Sequence, residues 1–344
     1  MSRFLKRSVV GLTLALSAVL GVRLLAWAPF TIKLSTFAPT NSPWHTALLD
    51  MGAAWDKATE GRVKLVVYPS GTQGTEATVV KLMRPPASQL QAALLLPPGL
   101  AEIDDSANVL GMPFFLQSDE EMLAVMKKLT PVLAKNFEAK GFHVVHWGSA
   151  GWVQVFSKKP IKSLADLKAA KLYTTEGDDR MVQIYKSNGF NPVPLNFNDI
   201  PAQLKLRTGM IDAAPSPPQG ALLLQFFRDA PYMLQLRVAP LIGATVMTDK
   251  AWAAISPEDR GKMVAAAQAM ENKLMGAAPK IDADDIAAMK SRGLTVADLD
   301  PKAVAEFHAA AEQMIKSMRG TNVPRDVFYL ALADRDAFRK SKGK

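Results

Sequence analysis

Hydrophobic and polar positions along this chain switch repeatedly between a two-residue and a helical period, and each switch marks an element. Thr31–Ser35 alternates polar and apolar residues and predicts a short strand. Trp44, Leu48, Met51, Ala54 and Trp55 follow at helical spacing, with Gly61 as a stop signal. Val63–Tyr68 predicts a strand closed by Pro69-Ser70-Gly71, Thr75–Met83 a helix, and Leu90–Leu96 a buried strand. Helices are expected near Ser118–Lys128 and Pro131–Lys140, then strands near His143–Trp147 and Trp152–Phe156. Further on, helices at Leu164–Ala170, Asp179–Ser187, Asp199–Arg207 and Pro218–Arg228 alternate with strands at Leu172–Thr175, Val193–Asn196, Met210–Ala213 and Leu241–Met247. From Pro257 to Arg292 the pattern is almost wholly helical, with Pro279 expected to kink or split it and Gly293 to end it. Helices at Lys302–Arg319 and Arg325–Lys340 close the chain. Strand–helix alternation on this scale predicts an α/β fold with open sheets.

The first residues follow a different logic. Met1–Arg7 is basic, Ser8–Val22 is apolar and uncharged, and Ala26-Trp27-Ala28 offers small residues at the −3 and −1 positions of a cleavage site. Residues 1–28 therefore read as a signal peptide or an uncleaved anchor. Arg23 interrupts the apolar run before it reaches the length of a membrane span. The rest of the chain is expected in the periplasm, where ATP and NAD are not expected as substrates.

Composition narrows the chemistry. The 344 residues are 49% hydrophobic and 21% charged, as in an ordinary globular protein of one large or two medium domains. The absence of cysteine excludes disulfides, thiol catalysis and cysteine-held zinc. Of the net charge of +9, Arg3, Lys6, Arg7 and Arg23 lie in the export segment, and removing them leaves +5. The remaining bases are interspersed with acids, which suits a solvated surface and gives no nucleic-acid partner. His143 and His146 are three residues apart on a strand and point to opposite faces, so they do not share a metal. Asp282, Asp284 and Asp285 lack the glycine and closing glutamate of a calcium loop and read as an exposed acidic helix start. Gly71-Thr72-Gln73-Gly74 has no following Lys-Ser/Thr pair, and no Gly-x-Ser-x-Gly elbow is present. The expectation is a binding protein, not an enzyme, with no cofactor and no metal.

A family resemblance then emerges from ordered motifs. Glu60-Gly61-Arg62-Val63-Lys64 with Tyr68-Pro69-Ser70-Gly71 and Gly74 comes first. Leu110-Gly111-Met112-Pro113-Phe114-Phe115, Ser118-Asp119-Glu120-Glu121 and Lys159-Pro160-Ile161 follow, then Asp166-Leu167-Lys168 and Lys171-Leu172. Gly189 with Pro192-Val193-Pro194, Thr208-Gly209-Met210-Ile211-Asp212 and Trp252 with Ser256-Pro257-Glu258-Asp259 complete the order. Together, over about residues 31–300, they resemble the substrate-binding proteins of TRAP transporters, the tripartite ATP-independent periplasmic carriers, of the dicarboxylate-binding type. Leu223–Tyr232 loosely resembles the branch that works with a tetratricopeptide partner protein.

The resemblance implies a two-lobe, periplasmic-binding-protein-like fold with a central cleft and a long connecting helix. Lobe one would be 29–150 plus 243–280, and lobe two 151–242 plus 281–344 with the C-terminal helices. It implies a small-molecule ligand, delivery to membrane TRAP permease subunits, and a tetratricopeptide partner if that branch applies. A ligand carrier or sensory protein, passing a lipid or a signal to another partner, is the alternative. The motifs also depart from the family at the site. The family's carboxylate-pairing arginine falls at Tyr173 and a second basic position at Val153. A guanidinium fork suits a carboxylate; its loss leaves a charged ligand head uncompensated. The expected ligand is therefore hydrophobic or weakly polar. The expected lining is Tyr173, Val153, Trp152, Phe197, Asn198, Ser216, Pro217, Trp44, Leu95 and Phe114, with Pro113 and Phe226 as further apolar candidates. Tyr173, Asn198 and Ser216 would supply the hydrogen-bonding tips. Arg180 either replaces the lost cation or pairs with nearby aspartates.

Overall fold

The computed structural model describes residues 28–86, 88–205 and 209–343. The export-signal reading of residues 1–27 lies outside the described residues.

The described residues begin with strand β1 (Phe30–Thr36), helix α1 (Pro43–Ala58) and strand β2 (Val63–Tyr68). The Ser42 hydroxyl accepts from the His45 N–H and Pro43 occupies the first turn, so α1 starts where the sequence provides a cap. Its apolar stripe, including Leu48, Met51 and Trp55, is buried on β1 and β2. Helix α2 (Glu76–Met83), strand β3 (Ala92–Leu95) and helix α3 (Pro97–Ala101) follow, and β1 lies between β2 and β3 in parallel register.

Helix α4 (Asp119–Glu138) runs unbroken through Pro131, where two helices were expected. The two strands expected after it are one, β4 (Phe142–Ser157), bent by register shifts between Val144 and His146, Ser149 and Trp152, and Val153 and Val155. The second part holds α5 (Leu164–Ala169), β5 (Lys171–Thr175), α6 (Asp179–Ser187), β6 (Asn191–Leu195), α7 (Ile200–Gln203), β7 (Ala213–Ser216) and α8 (Pro218–Leu223). Strand β8 (Tyr232–Thr248) then pairs antiparallel with almost the whole of β4. Short α9 (Asp249–Ala253), long α10 (Pro257–Lys290), β9 (Thr295–Ala297), α11 (Pro301–Met318) and α12 (Arg325–Ser341) complete the chain. Pro279 lies inside α10 and neither ends nor splits it.

The strand order is β2-β1-β3-β8-β4-β7-β5-β6, with β9 on β8. One end of the β4–β8 pair joins β1–β3, and the other joins β5–β7. The two long antiparallel strands thus cross between the two lobes. Helix α10 straps the crossing: the Glu271 carboxylate accepts from the Trp147 N–H and the Asp282 carboxylate from the Trp152 N–H, both at 3.2 Å. These amides flank the bend at Ser149–Trp152, where the regular ladder is interrupted. Asp282 is buried in mid-helix, so it is not part of an exposed helix start. The last helix also differs from expectation. Phe328 and Ala331 of α12 share a core with Leu129 and Leu133 of α4, and Arg339 pairs with Glu121, so α12 packs on the first lobe. Its apolar residues are equally regular whichever lobe they meet, so periodicity did not specify the partner.

Candidate functional site

A cavity of about 220 Å³ lies between the two lobes, at the ends of β1, β3, β5 and β7. From the first lobe come Phe37, Trp44, Glu76, Leu94 and Leu96; from the second, Tyr173, Phe197, Ser216, Pro217 and Gly220. Val153 and Leu241 contribute from the crossing strands.

Two glycines make the aromatic walls possible. A side chain at Gly148 would collide with the Trp44 indole, so the bare backbone of β4 seats that ring. Gly71 has φ +66° and a Cβ there would lie 2.7 Å from the Phe37 ring; the turn after β2 thus needs glycine on both counts.

The electrostatics are one-sided. Among the described residues lining the cavity, Glu76 and Glu176 carry carboxyl groups, and none is lysine, arginine or histidine. Glu76 opens α2 behind the Thr75 cap; its two oxygens accept from the Leu96 N–H at 2.7 Å and the Gly99 N–H at 2.8 Å. Burial nevertheless pushes its carboxyl up to about 8, against the pull of those two donors. Burial also pushes the Tyr173 phenol up to about 12, so that hydroxyl stays neutral. It lies 3.4 Å from Thr175 Oγ1, a long contact that leaves hydrogen-bonding capacity for a ligand. Ser216 Oγ donates to the Pro217 carbonyl at 2.9 Å and keeps an acceptor lone pair.

Of the expected lining, the structure brings Trp44, Val153, Tyr173, Phe197, Ser216 and Pro217 to one cavity. Leu95 is not on its wall. Side chains alternate along β3, so Leu94 and Leu96 face the cavity while Leu95 enters the core. The same alternation takes Trp152 away from Val153: its indole N–H donates to Asp119 at 2.8 Å, and its ring faces the Arg237 guanidinium. Phe226 is in the core against Phe156. Phe114 and Pro113 line a second, neighbouring cavity. Asn198 stands outside the cavity and donates from its side chain to the Ser70 carbonyl at 3.1 Å, bridging the lobes at the cleft mouth. Arg180 is not on the wall and pairs with Asp105 across the lobes. Sequence reading missed Phe37, Glu76 and Leu96. An acid in the first turn of a helix reads as ordinary dipole compensation, so nothing local marked Glu76 as a cavity residue.

The family model for bacterial extracellular solute-binding proteins, family 7 (DctP), matches residues 34–321. The chain belongs to this family. It is 26% identical over 295 residues to the 2,3-diketo-L-gulonate-binding periplasmic protein YiaO of Escherichia coli, covering 84% of this chain and 87% of that protein. A solute-binding protein of Roseobacter denitrificans is 25% identical over 290 residues, covering 83% and 86%. Among solved structures, the Bordetella pertussis extracytoplasmic solute receptor DctP7, which binds pyroglutamic acid, superposes with a TM-score of 0.81 at 18% identity, covering 89% of this chain and 99% of that one. A TRAP periplasmic solute-binding protein of Desulfovibrio salexigens with bound orotic acid gives 0.82 at 15% identity, covering 90% and 99%. The two-lobe fold is thus that of TRAP solute receptors. As a DctP protein the chain is an extracytoplasmic receptor for a small molecule, from a family that works with membrane permease subunits rather than as enzymes. No helix among the described residues is long and apolar enough to cross a membrane.

Proposed function

We propose that this DctP receptor binds an uncharged, hydrophobic or weakly polar solute and delivers it to its permease. One observation carries the reading: the cavity wall is mostly aromatic and aliphatic, its polar groups are hydroxyls, the amides of Asn196 and Gln219 and two carboxyls, and no cation is among its described residues. A ligand carboxylate brought there would meet two acidic side chains, Glu76 and Glu176, and no guanidinium. An uncompensated charge of that kind costs several kcal/mol, about a thousandfold in affinity. Burial of apolar ligand surface against Trp44, Phe37 and Phe197 supplies the affinity instead, at roughly 25 cal/mol per Å² before the costs of association. The Tyr173 hydroxyl and Ser216 Oγ orient a weakly polar group. Asn198 acts at the mouth, through its bond to Ser70, rather than on the ligand. The pyroglutamic and orotic acids bound by two of the solved relatives make an organic acid the competing ligand class. The loose resemblance of Leu223–Tyr232 to the tetratricopeptide-partnered branch adds a tetratricopeptide protein as a second proposed partner.

Native mass spectrometry of the gently purified full chain, followed by extraction of any bound small molecule, tests the ligand class. A co-purified uncharged lipophile is the expected result. A co-purified organic acid released on unfolding overturns the reading.

A further inference from the structure

A second cavity, of about 270 Å³, borders the first. The two share Pro98, Val153, Tyr173, Thr175, Pro215 and Leu241, so they meet at a waist formed by both lobes. Beyond the waist the second cavity runs under α5 and α11, where Leu167, Phe307, Ala311 and Met314 line it. Asp178 is the carboxyl group among its described lining residues, and one of its oxygens is committed to capping α6 through the Met181 N–H at 3.1 Å.

Three features set this space apart from a packing gap. Alternation along β5 gives Leu172 and Thr174 to the second cavity alone. The Thr174 hydroxyl oxygen is buried and has no hydrogen-bond partner, although the residue is only 6% exposed. Buried hydroxyls are normally paired, so this one marks a place where a partner is missing. Phe114, also on this wall, has a left-handed backbone at φ +53°, fixed by its N–H donating to the Val238 carbonyl at 2.6 Å. Such strain in a bulky residue is held where the surrounding structure needs it.

We propose that the second cavity seats the oxygen-bearing end of an elongated lipophilic ligand. A hydroxyl or carbonyl of that ligand pairs with Thr174 Oγ1, and its hydrocarbon body passes the Tyr173–Val153 waist into the first cavity. This assignment rests on the uncharged-ligand reading and names its class: a long uncharged lipid with a terminal hydroxyl or carbonyl at Thr174, any further weakly polar group of which meets Tyr173 and Ser216 in the first cavity.

The probes are the primary alkanols from hexanol to hexadecanol, delivered to the full chain from cyclodextrin, with affinities read by native mass spectrometry. Affinity is expected to rise about fourfold per methylene until both cavities are filled. Thr174→Val removes the hydroxyl at nearly constant shape and is expected to weaken alkanols about fivefold without lowering the unfolding temperature. The same variant should leave the 1-chloroalkane of equal length unaffected. Ala311→Leu, which fills the second cavity, is expected to weaken every alkanol, with Ala310→Leu as a second filling variant should the first fail to fold. Alkanols that bind wild type, Thr174→Val and a folded filling variant equally overturn the second site while leaving the uncharged-ligand reading intact. Failure of every alkanol to bind, with tight binding of an organic acid, overturns both.

Discussion

Glu76 is held where its charge is costly, and this makes the stability of the fold depend on pH in a definite direction. Its carboxyl titrates near 8 in the folded chain against an ordinary value of 4.5. Between those values the folded chain keeps a proton that the unfolded chain has lost, so stability falls as pH rises through the window and levels off above it. Burial raises Asp282 to about 6 and acts in the same direction below that pH. His146, lowered by burial to about 4, acts oppositely between 4 and 6.5, because there the unfolded chain binds the extra proton. Above pH 6.5 the Glu76 effect dominates among these three. Urea unfolding at pH 6.5 and 8.5 is expected to show a loss on the order of 1 kcal/mol per pH unit up to about 8. The Glu76→Gln chain should lose that slope, at a fixed cost of about 1–3 kcal/mol for the backbone donor it leaves unpaired. A wild-type stability that is flat or rising over this range contradicts the assignment. Gly148 gives a second residue-scale prediction. Gly148→Ala drives its new methyl into the Trp44 indole and displaces that ring. Ligand affinity should fall about tenfold, the worth of a misplaced aromatic contact, while far-UV circular dichroism stays unchanged. Unaltered affinity in that variant would remove Trp44 from the site.

At the scale of elements, α10 depends on its carboxylates in sharply different ways although three of them are near neighbours in sequence. Asp282 accepts the Trp152 N–H at the bend of β4, Asp284 pairs with exposed Lys280, and Asp285 buries an oxygen that has no partner. Asp282→Ala should therefore cost about 1–3 kcal/mol, since it orphans a buried amide. Asp284→Ala should change stability by less than about 0.5 kcal/mol, as for most exposed pairs, and Asp285→Ala should be neutral or stabilising. Thermal unfolding of the three variants checks the order, and equal costs would sink it. The same helix shows what periodicity can and cannot convey. Its two ends were legible from the almost wholly helical pattern between Pro257 and Gly293, but its continuity was not, because Pro279 reads locally as a kink or a break. Its job was not, because the acceptors it offers are needed only once β4 bends 130 residues away in sequence from Asp282. The merging of two predicted strands into β4 and the lengthening of β8 have a similar cause: each long strand bends between two lobes, and Gly148, Ser149 and Gly151 at the bend read locally as a loop. At the site, the aligned positions Tyr173, Val153, Phe197 and Ser216 led to the cavity. Leu95 and Trp152 missed it by one residue each, because choosing between the two faces of a strand requires knowing which face the other lobe covers.

On the scale of the whole molecule, polar contacts reach from one lobe to the other beside the cleft. Asn198 reaches the Ser70 carbonyl and Arg180 pairs with Asp105. Arg180 and Asp105 are 50% and 30% exposed, so solvent screens their attraction. Such a pair contributes about 0.2–1 kcal/mol. That is small against folding but direct in its effect on closure, because the contact exists only when the lobes meet. Arg180→Ala should therefore shift the open–closed ratio of the unliganded chain toward open by about two- to fivefold. If the closed form is the minor one, the apparent dissociation constant rises by a similar factor, since binding must then supply the closure that the ion pair had favoured. Small-angle X-ray scattering should show a larger radius of gyration for unliganded Arg180→Ala than for wild type, with the two converging when ligand saturates the cleft. Raising the salt concentration should move wild type toward the variant and leave the variant unmoved, because the screened attraction is the one deleted. A variant that scatters like wild type at low salt, yet binds more weakly, would instead place Arg180 on the ligand, as the replacement cation for the guanidinium missing at Tyr173.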